Sequence, residues 1–241
     1  MGVTGRIRKG VVLAAGDGGR LGALTSNCPK VLLPVQGKPL ICHPIRALAA
    51  AGINEIAIVV GYLASQVRAA LGDGSRFGVR LDYILNLDYR AGNAISVKRV
   101  KHWATDKPFV LCMGDHTIEP GFVRRLLDKD PSAETLCVDF APGEHHQLAE
   151  STKVLVDGSG CIKRIGKELA YWNAIDTGIF LLTERFLDAI DELIPEFGID
   201  IETGDVVQFL VDRGFRFATC DVSGSFWVDV DTEDDLAFVT T

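Results

Sequence analysis

The stretch that decides the fold is VVLAAGDGGRLGALTSNCPK, residues 11–30. A short apolar run leads directly into a glycine-rich loop that contains Arg20 and ends in Pro29 and Lys30. The apolar run is typical of a buried strand. Glycines behind such a strand leave backbone N–H groups uncovered, and these groups can hold phosphate oxygens. We therefore predict that the loop binds a phosphorylated ligand, with Arg20 and Lys30 as the cations within reach.

Two familiar phosphate-binding loops do not fit this stretch. A dinucleotide fold needs G-x-G-x-x-G opening a helix, but here the third glycine comes one position late and Pro29 and Pro34 interrupt any crossover helix. A P-loop needs G-K-[ST], whereas Gly22 is followed by Ala23. The sequence therefore indicates a phosphate site other than that of an NAD enzyme or a Walker-type ATPase.

Strand-like and helix-like segments alternate along the chain. This order predicts an α/β protein with a doubly wound, mixed but mostly parallel sheet, and the second half adds a small β-rich lobe. The spacing predicts strands over 10–15, 55–62, 79–86, 108–115, 134–140, 152–166 (a hairpin), 174–183 and 215–224. It predicts helices over 39–52, 63–74, 93–104, 121–129, 185–196, 203–214 and 232–239, the last with a Thr232 cap.

Composition limits the class of protein. The chain has 241 residues and a net charge of −7, which argues against a general nucleic-acid binder. Its six cysteines are scattered without a C-x-x-C pair, as expected in a reducing compartment. No stretch approaches the roughly 20 apolar residues of a membrane span. We expect one soluble, cytoplasmic domain over 1–241.

Carboxylates follow two apolar stretches. Asp115 ends the strand-like run before it, and Asp229 and Asp231 alternate in FWVDVD, so strand geometry places both on one face. Ligands of doubly wound sheets gather at the carboxyl ends of strands, and Mg²⁺ takes one or two protein carboxylates together with phosphate oxygens. His116, next to Asp115, is interpreted either as a loop histidine or as a contact to a metal-bound water or phosphate.

The loop resembles the pattern L-A-A-G-x-G-x-R-(x)n-P-K of the sugar-nucleotide pyrophosphorylase-like nucleotidyltransferase superfamily, whose fold is GT-A-like or Rossmann-like. Val31 departs from the proline that often follows the lysine in that superfamily. Four later stretches, NLDYRAGNAISV (86–97), LCMGDH (111–116), ESTKVLVDGSGCIKRIGKEL (150–169) and NAIDTGIFLLTERF (173–186), together with FWVDVDT (226–232), look most like the CTP-dependent cytidylyltransferases that act on inositol 1-phosphate.

The resemblance implies transfer of CMP from CTP to a phosphomonoester, with Mg²⁺ as cofactor. It implies a nucleotide-binding half over about 8–130 and an acceptor-binding half over about 131–241. The catalytic cations would be Arg20 and Lys30, and the metal ligands Asp115, Asp229 and Asp231. Nucleotide contacts are expected from Leu13, Ala14, Ala15, Gly16, Gly18, Gly19, Asn86, Gly92, Asn93 and Ser96. Acceptor contacts are expected from Glu150, Lys153, Lys167, Asp176 and Thr177.

Several alternatives stay open at this point. The acceptor could instead be a sugar 1-phosphate, phosphocholine or a phosphonate. A GT-A glycosyltransferase would use the DVD at 229–231 as its metal motif, but the Gly-Arg…Pro-Lys loop has no role there. A non-catalytic nucleotide-binding homologue would not need both the cations and the carboxylates. In some superfamily members a membrane-bound phosphotransferase uses the product. The sequence leaves the oligomeric state open, with a homodimer as one option.

Overall fold

The computed structural model describes residues 7–105, 107–128, 134–143 and 148–240. Its strands are, in chain order, β1 (Lys9–Ala14), β2 (Pro34–Val35), β3 (Lys38–Pro39), β4 (Glu55–Val60), β5 (Arg80–Leu85), β6 (Phe109–Met113), β7 (His116–Ile118), β8 (Thr135–Asp139), β9 (Lys153–Val156), β10 (Ile162–Gly166), β11 (Ala174–Leu182), β12 (Ala218–Asp221) and β13 (Trp227–Asp229). Its α-helices are α1 (Cys42–Ala50), α2 (Ala64–Leu71), α3 (Asn93–Lys98), α4 (Lys101–Ala104), α5 (Phe122–Leu127), α6 (Glu184–Phe197), α7 (Thr203–Asp212) and α8 (Glu233–Thr240).

Nine of the described strands form one mixed sheet in the order β10-β9-β11-β6-β1-β4-β5, with β8 beside β11 and β12 beside β8. Strand β1 pairs in parallel with β4 and β6, and β5 continues the parallel part beyond β4. Strand β11 runs antiparallel to β6, β8 and β9. The predicted fold class is confirmed: strands of the first half form a parallel centre, and strands of the second half form a mostly antiparallel extension in which β12 alone runs parallel to its neighbour β8.

Helices cover both faces of this sheet. On one face the buried side chains of α1, α2 and α5 belong to the same apolar cluster as Val12 of β1, and on the other those of α3, α6 and α7 share a cluster with Val11. Both valines are fully buried because successive side chains of a strand point to opposite faces. Because helices cover both faces of the sheet, side chains on both faces of the first strand contact apolar groups, and the strand contains a continuous apolar run.

Two small ribbons lie outside the main sheet, and sequence patterns predicted neither pairing, although strand alternation was expected in FWVDVD, which contains β13. Strands β7 and β13 pair antiparallel, with Asp229 opposite His116. Strands β2 and β3 form a hairpin whose turn residues Gln36 and Gly37 have φ of 49° and 73°. Strands of two or three residues carry too little periodicity to be recognised from sequence. The β7–β13 ribbon brings the end of the chain back to the metal-binding candidates.

Some predicted boundaries need correction. The helix expected over 93–104 is divided into α3 and α4, with Arg99 and Val100 between them. The strand expected over 215–224 is confined to β12. The Thr232 cap is confirmed, because its Oγ1 accepts a hydrogen bond from the Asp235 N–H at 3.2 Å. Within the described residues, no helix combines the length and the apolar composition needed to cross a bilayer.

Candidate active site

A cleft of about 570 Å³ opens at the carboxyl ends of β1 and β6. Leu13, Ala15 and Gly16 line it from β1 and the loop after it, and Asp115 from the turn between β6 and β7. Residues of β10, β11, the start of α7 and β13 line the other side. Both halves of the chain therefore contribute walls, as expected of a doubly wound sheet.

The glycine-rich loop packs against Lys30. Gly18 has φ of 67°, and a Cβ on it would lie 2.7 Å from the Cβ of Lys30, so any larger residue is excluded there. The Oγ1 of Thr25 donates to the carbonyl of Gly18 at 3.0 Å, and Asp17 accepts a hydrogen bond from the N–H of Gly19 at 3.2 Å. These contacts fix the loop and leave Gly16 and Gly19 exposed.

The Lys30 side chain is buried, with 8% exposure, beneath the carboxylates of the cleft. Its Nζ lies 2.9 Å from Oδ2 of Asp115 and 2.5 Å from Oδ1 of Asp231. Arg20, which is exposed, holds the other oxygen of Asp231 at 2.7 Å. The two predicted cations and two of the predicted metal ligands therefore form one connected ion-pair network.

A second cluster joins Asp115, His116 and Asp229. The Nδ1 of His116 lies 3.0 Å from Oδ1 of Asp115 and 3.6 Å from Oδ1 of Asp229. One ligand atom from each of the three residues lies within 4.8 Å of the others. The Oδ1 of Asp229 is buried and has no hydrogen-bond partner among the described residues. Because a buried carboxylate oxygen is costly without a partner, this donor set fits a divalent cation.

The charges of this cluster shift its pKa values. Burial alone would raise the pKa of Asp115, but Lys30 and His116 outweigh it and hold that pKa well below its usual range. Burial also opposes protonation of His116, yet Asp229 and Asp115 raise its pKa to about 9. Burial raises the pKa of Asp229 to about 7, with Asp115 adding to the effect and His116 and Lys30 opposing it.

Of the residues predicted to contact the nucleotide, several support the wall of the cleft rather than line it. Asn86 is buried and donates to Oγ of Ser96 at 2.9 Å, while its own oxygen accepts from Arg99. Asn93 lines the cleft and accepts the N–H of Thr203 at 2.7 Å, which ties α3 to α7. A Cβ on Gly92 would lie 2.2 Å from the carbonyl oxygen of Ile201, so this close approach needs glycine.

Of the residues predicted to contact the acceptor, Asp176 reaches the cleft from β11. Its Oδ1 accepts the N–H of Gly178 at 2.7 Å, and burial raises its pKa to about 6 against this bond and the charge of His116. Thr177 is fully buried, and its hydroxyl donates to the carbonyl of Cys137 at 2.9 Å. It does not line the cleft because neighbouring residues of a strand face opposite sides.

The structure brings most of the predicted site residues together. Those that line the cleft are Leu13, Ala15, Gly16, Arg20, Asn93, Ser96, Asp115, Glu150, Lys167, Asp176, Asp229 and Asp231. Those that lie behind or beside it are Ala14, Gly18, Gly19, Lys30, Asn86, Gly92, Lys153 and Thr177. Lys153 is turned to the carbonyl of Lys167, to which its Nζ donates at 2.6 Å.

Several residues that line the cleft were not among the predicted site residues. Tyr89, Met113 and Trp227 line it, as do Glu202 and Thr203 at the start of α7. Trp227 stacks on His116 with ring centroids 6.2 Å apart. Trp227 could have been predicted, because it lies two positions before Asp229 and strand alternation places both side chains on one face. No local sequence pattern marks the start of α7 as part of a site.

The fold and the cleft define a class of protein, and comparison with known proteins names it. The nucleotidyl transferase family matches residues 9–240. The chain therefore belongs to the nucleotidyl transferase family. It superimposes on the inositol-1-phosphate CTP transferase from T. maritima with a TM-score of 0.84 and 28% identity, covering 96% of this chain and 92% of that one.

Two relatives show the range of functions among similar proteins. The chain is 34% identical over 241 residues to a bifunctional IPC transferase and DIPP synthase from Rubrobacter xylanophilus, with 97% of this chain and 51% of the relative covered. It is 30% identical over 240 residues to the low-salt glycan biosynthesis nucleotidyltransferase Agl11 from Haloferax volcanii, with 95% of this chain and 64% of the relative covered. The chain therefore spans about half to two thirds of these relatives.

Proposed function

We propose that this chain is a Mg²⁺-dependent cytidylyltransferase that transfers CMP from CTP to inositol 1-phosphate, giving CDP-inositol and pyrophosphate. The observation that carries the proposal is the network at one end of the cleft. There the buried Lys30 and the exposed Arg20 face Asp115 and Asp231, with Asp229 beside them. Cations and carboxylates in one cleft are what a reaction between two phosphate groups requires.

The chemistry asks for positioning rather than for a strong base. An oxygen of the acceptor phosphate attacks the α-phosphorus of CTP, and the bond to the bridging oxygen of the departing pyrophosphate breaks. The acceptor phosphate is already an anion and needs no deprotonation. The cost lies in bringing two anions together, and cations lower that cost. Arg20 and the exposed backbone of Gly16 and Gly19 would hold the triphosphate.

The carboxylates supply the place for the metal. Asp115 and Asp229 would hold Mg²⁺, which neutralises phosphate charge when bound. The buried Oδ1 of Asp229, which has no hydrogen-bond partner in the part of the chain that the structure describes, supports this role. Lys30 lies under Asp115 and Asp231, orients both carboxylates, and lowers the pKa of Asp115. Asp231, held by two cations, is better placed to position Arg20 and Lys30 than to hold the metal alone.

The choice of acceptor is supported by the relatives and by the lining of the cleft. The T. maritima match is named for inositol 1-phosphate and CTP. Glu150, Ser151, Thr152 and Asp176 line the acceptor side and offer hydrogen-bonding groups to the hydroxyls of a cyclitol. Lys167, also in the lining, supplies a cation for the acceptor phosphate.

A second candidate is a thymidylyltransferase for a sugar 1-phosphate. The observation in its favour is 29% identity over 233 residues to a glucose-1-phosphate thymidylyltransferase from Streptomyces griseus, with 95% of this chain and 64% of that protein covered. The same ion-pair network would serve both reactions, because it would contact the phosphate groups and the metal but neither the nucleobase nor the sugar or cyclitol of the acceptor. The two functions therefore differ only in the lining of the cleft.

Pyrophosphate release tests the proposal. The purified chain is assayed with CTP or dTTP against inositol 1-phosphate, glucose 1-phosphate, phosphocholine and 3-aminopropylphosphonate, with and without Mg²⁺. We expect release with CTP, inositol 1-phosphate and Mg²⁺ together. The matched controls are Asp229→Asn, expected to be inactive, and Asp234→Asn on an exposed position of α8, expected to be active. Activity with dTTP and glucose 1-phosphate alone would establish the second candidate instead.

A further inference from the structure

His116 and Asp229 are held opposite each other by the β7–β13 ribbon. They form a register pair of this antiparallel ribbon, so their side chains share one face. Asp115 directly precedes His116, and its side chain lines the same cleft. His116 and Asp229 therefore converge because of backbone pairing, and Asp115 joins them from the adjoining turn.

The ring of His116 is fixed on its other sides. Trp227 stacks on it at an interplanar angle of 19°. Gly178 lies beside the ring, and a Cβ there would come within 2.7 Å of Nε2. With Nε2 against β11, the opposite nitrogen, Nδ1, faces the two carboxylates.

The two distances from Nδ1 of His116 are close to those between neighbouring ligands of a metal ion, and the ligand atoms of all three residues lie within 4.8 Å of one another. Metal–ligand bonds of about 2.1 Å place neighbouring ligand atoms of an octahedral ion about 3 Å apart. Nδ1 of His116 lies 3.0 Å from Oδ1 of Asp115 and 3.6 Å from Oδ1 of Asp229. Lys30 binds the other oxygen of Asp115, which leaves Oδ1 turned toward this cluster. Oδ1 of Asp229 lacks a hydrogen-bond partner among the described residues.

We propose that Nδ1 of His116 is a third direct ligand of the metal, beside Asp115 and Asp229, and that this nitrogen makes the site prefer Mn²⁺ and Co²⁺ to Mg²⁺. Imidazole is a good ligand for first-row transition metals, whereas Mg²⁺ prefers oxygen. The inference deepens the proposed function and rests on it only in taking the cleft as a metal site.

The proposal assigns the ring one tautomer in the metal-bound state. Nδ1 gives its lone pair to the metal, and the ring proton is on Nε2, on the side of Gly178. A protonated ring loses its Nδ1 proton to solvent when the metal binds. The competing arrangement keeps the proton on Nδ1, donated to Asp115, and makes His116 a positioning residue for a site with oxygen ligands only.

Metal binding to the full-length chain, without CTP or acceptor, tests the proposal. Mn²⁺ affinity is measured by electron paramagnetic resonance, and Mg²⁺ affinity by competition with Mn²⁺. We expect His116→Asn to lose about tenfold or more in Mn²⁺ affinity, the scale seen when groups around a metal are altered, with a much smaller loss for Mg²⁺. His102→Asn, at an exposed position of α4, is the matched control and should bind both ions as the unaltered chain does.

Pulsed resonance of bound Mn²⁺ supplies a readout that does not depend on a variant. A directly bound imidazole gives a ¹⁴N modulation, which should disappear in His116→Asn and persist in His102→Asn. If His116→Asn does not fold, labelling all histidines with ¹⁵N in the unaltered chain must remove the same modulation. Absence of ¹⁴N coupling, equal loss of both ions in His116→Asn, or no metal binding overturns the proposal. Because no substrate is present, these results are independent of the pyrophosphate assay.

Discussion

At the scale of single residues, the charge balance of the cleft depends on Lys30. It is the buried partner of Asp115 and Asp231, and burial alone would lower its pKa. The surrounding carboxylates outweigh burial and raise that pKa above its ordinary value. A lysine held charged in this way stabilises the carboxylates above it and contributes a fixed positive charge to the cleft.

We predict that Lys30→Met lowers both stability and turnover. It leaves two partly buried carboxylates facing each other, and breaking such a pair costs about 2–3 kcal/mol when water still reaches one side. Urea unfolding measures the loss. Lys38→Met, on the exposed hairpin strand β3, is the control and should unfold as the unaltered chain does. Equal stability of both variants would contradict the role given to Lys30.

The raised pKa of Asp176 predicts that the free energy of unfolding depends on pH. Burial raises its pKa to about 6, whereas an unfolded aspartate titrates near 3.9. Between these values the unfolded chain has lost this proton and the folded chain keeps it, so stability falls as pH rises through the window. Asp176→Asn can still accept the Gly178 hydrogen bond and removes the effect. We predict that the melting temperature of the variant matches that of the parent near about pH 4 and exceeds it by several degrees above about pH 7.

Scanning calorimetry across that range checks the prediction. Asp221→Asn, at the exposed end of β12, is the control for removing one carboxylate elsewhere. A difference between Asp176→Asn and the parent that stays constant with pH would contradict the raised pKa.

At the scale of elements, two sets of backbone hydrogen bonds, which we call clasps, connect segments that are distant in the sequence. The β7–β13 ribbon carries His116 and Asp229, and the segment before α7 pairs with the start of α3. In the second clasp, Gly92 donates to the carbonyl of Ile199 at 3.1 Å and Ala94 to that of Ile201 at 3.1 Å. Asn93, between them, accepts from Thr203. The start of α3 and the segment before α7 are therefore joined through hydrogen bonds of the backbone and of Asn93.

We predict that Gly92→Ala opens the second clasp. The new Cβ would lie 2.2 Å from the Ile201 carbonyl, and rigid backbone cannot yield as a side chain can. Overpacking of this kind costs about 1–3 kcal/mol, or about 2–12 °C in melting temperature for a chain of this size. Thermal unfolding monitored by circular dichroism measures the change. Gly121→Ala, whose Cβ would meet nothing closer than 3.9 Å, should leave the melting temperature unchanged; equal effects would contradict the steric argument.

At the scale of the whole molecule, one cleft gathers charges from distant parts of the chain. Lys30 and Asp231 are 201 positions apart in sequence and 2.5 Å apart in the fold. Without ligand, the cations and carboxylates neutralise each other. A bound triphosphate with its metal would replace these ion pairs. Arg20 would then contact phosphate, and the carboxylates would contact the metal ion. Binding should therefore stabilise the whole fold and not only the loop.

We predict that Mg²⁺ and CTP together raise the melting temperature. A ligand at a hundred times its Kd adds about 2.7 kcal/mol, or about 5–10 °C here. Asp229→Asn should lose most of the shift because it removes a proposed metal ligand, whereas Asp234→Asn should keep it. Differential scanning fluorimetry with CTP, Mg²⁺ and both together measures this. A full shift in Asp229→Asn would exclude Asp229 from the metal site.

The sequence by itself determined the parallel centre of the sheet and the parts of the cleft that lie next to it. The buried run over 11–15, the glycine loop and Asp115 are local patterns whose cause is periodicity or backbone freedom. Even Thr177 could have been set apart from Asp176 by strand alternation alone.

Only the tertiary structure decided the rest. It buried Lys30 beneath Asp115 and Asp231, paired Arg20 with Asp231, and set His116 opposite Asp229. It also ran β11 antiparallel to β6 and brought the start of α7 into the cleft. These contacts join residues far apart along the chain, and their geometry depends on how the sheet and helices pack, which no local pattern records.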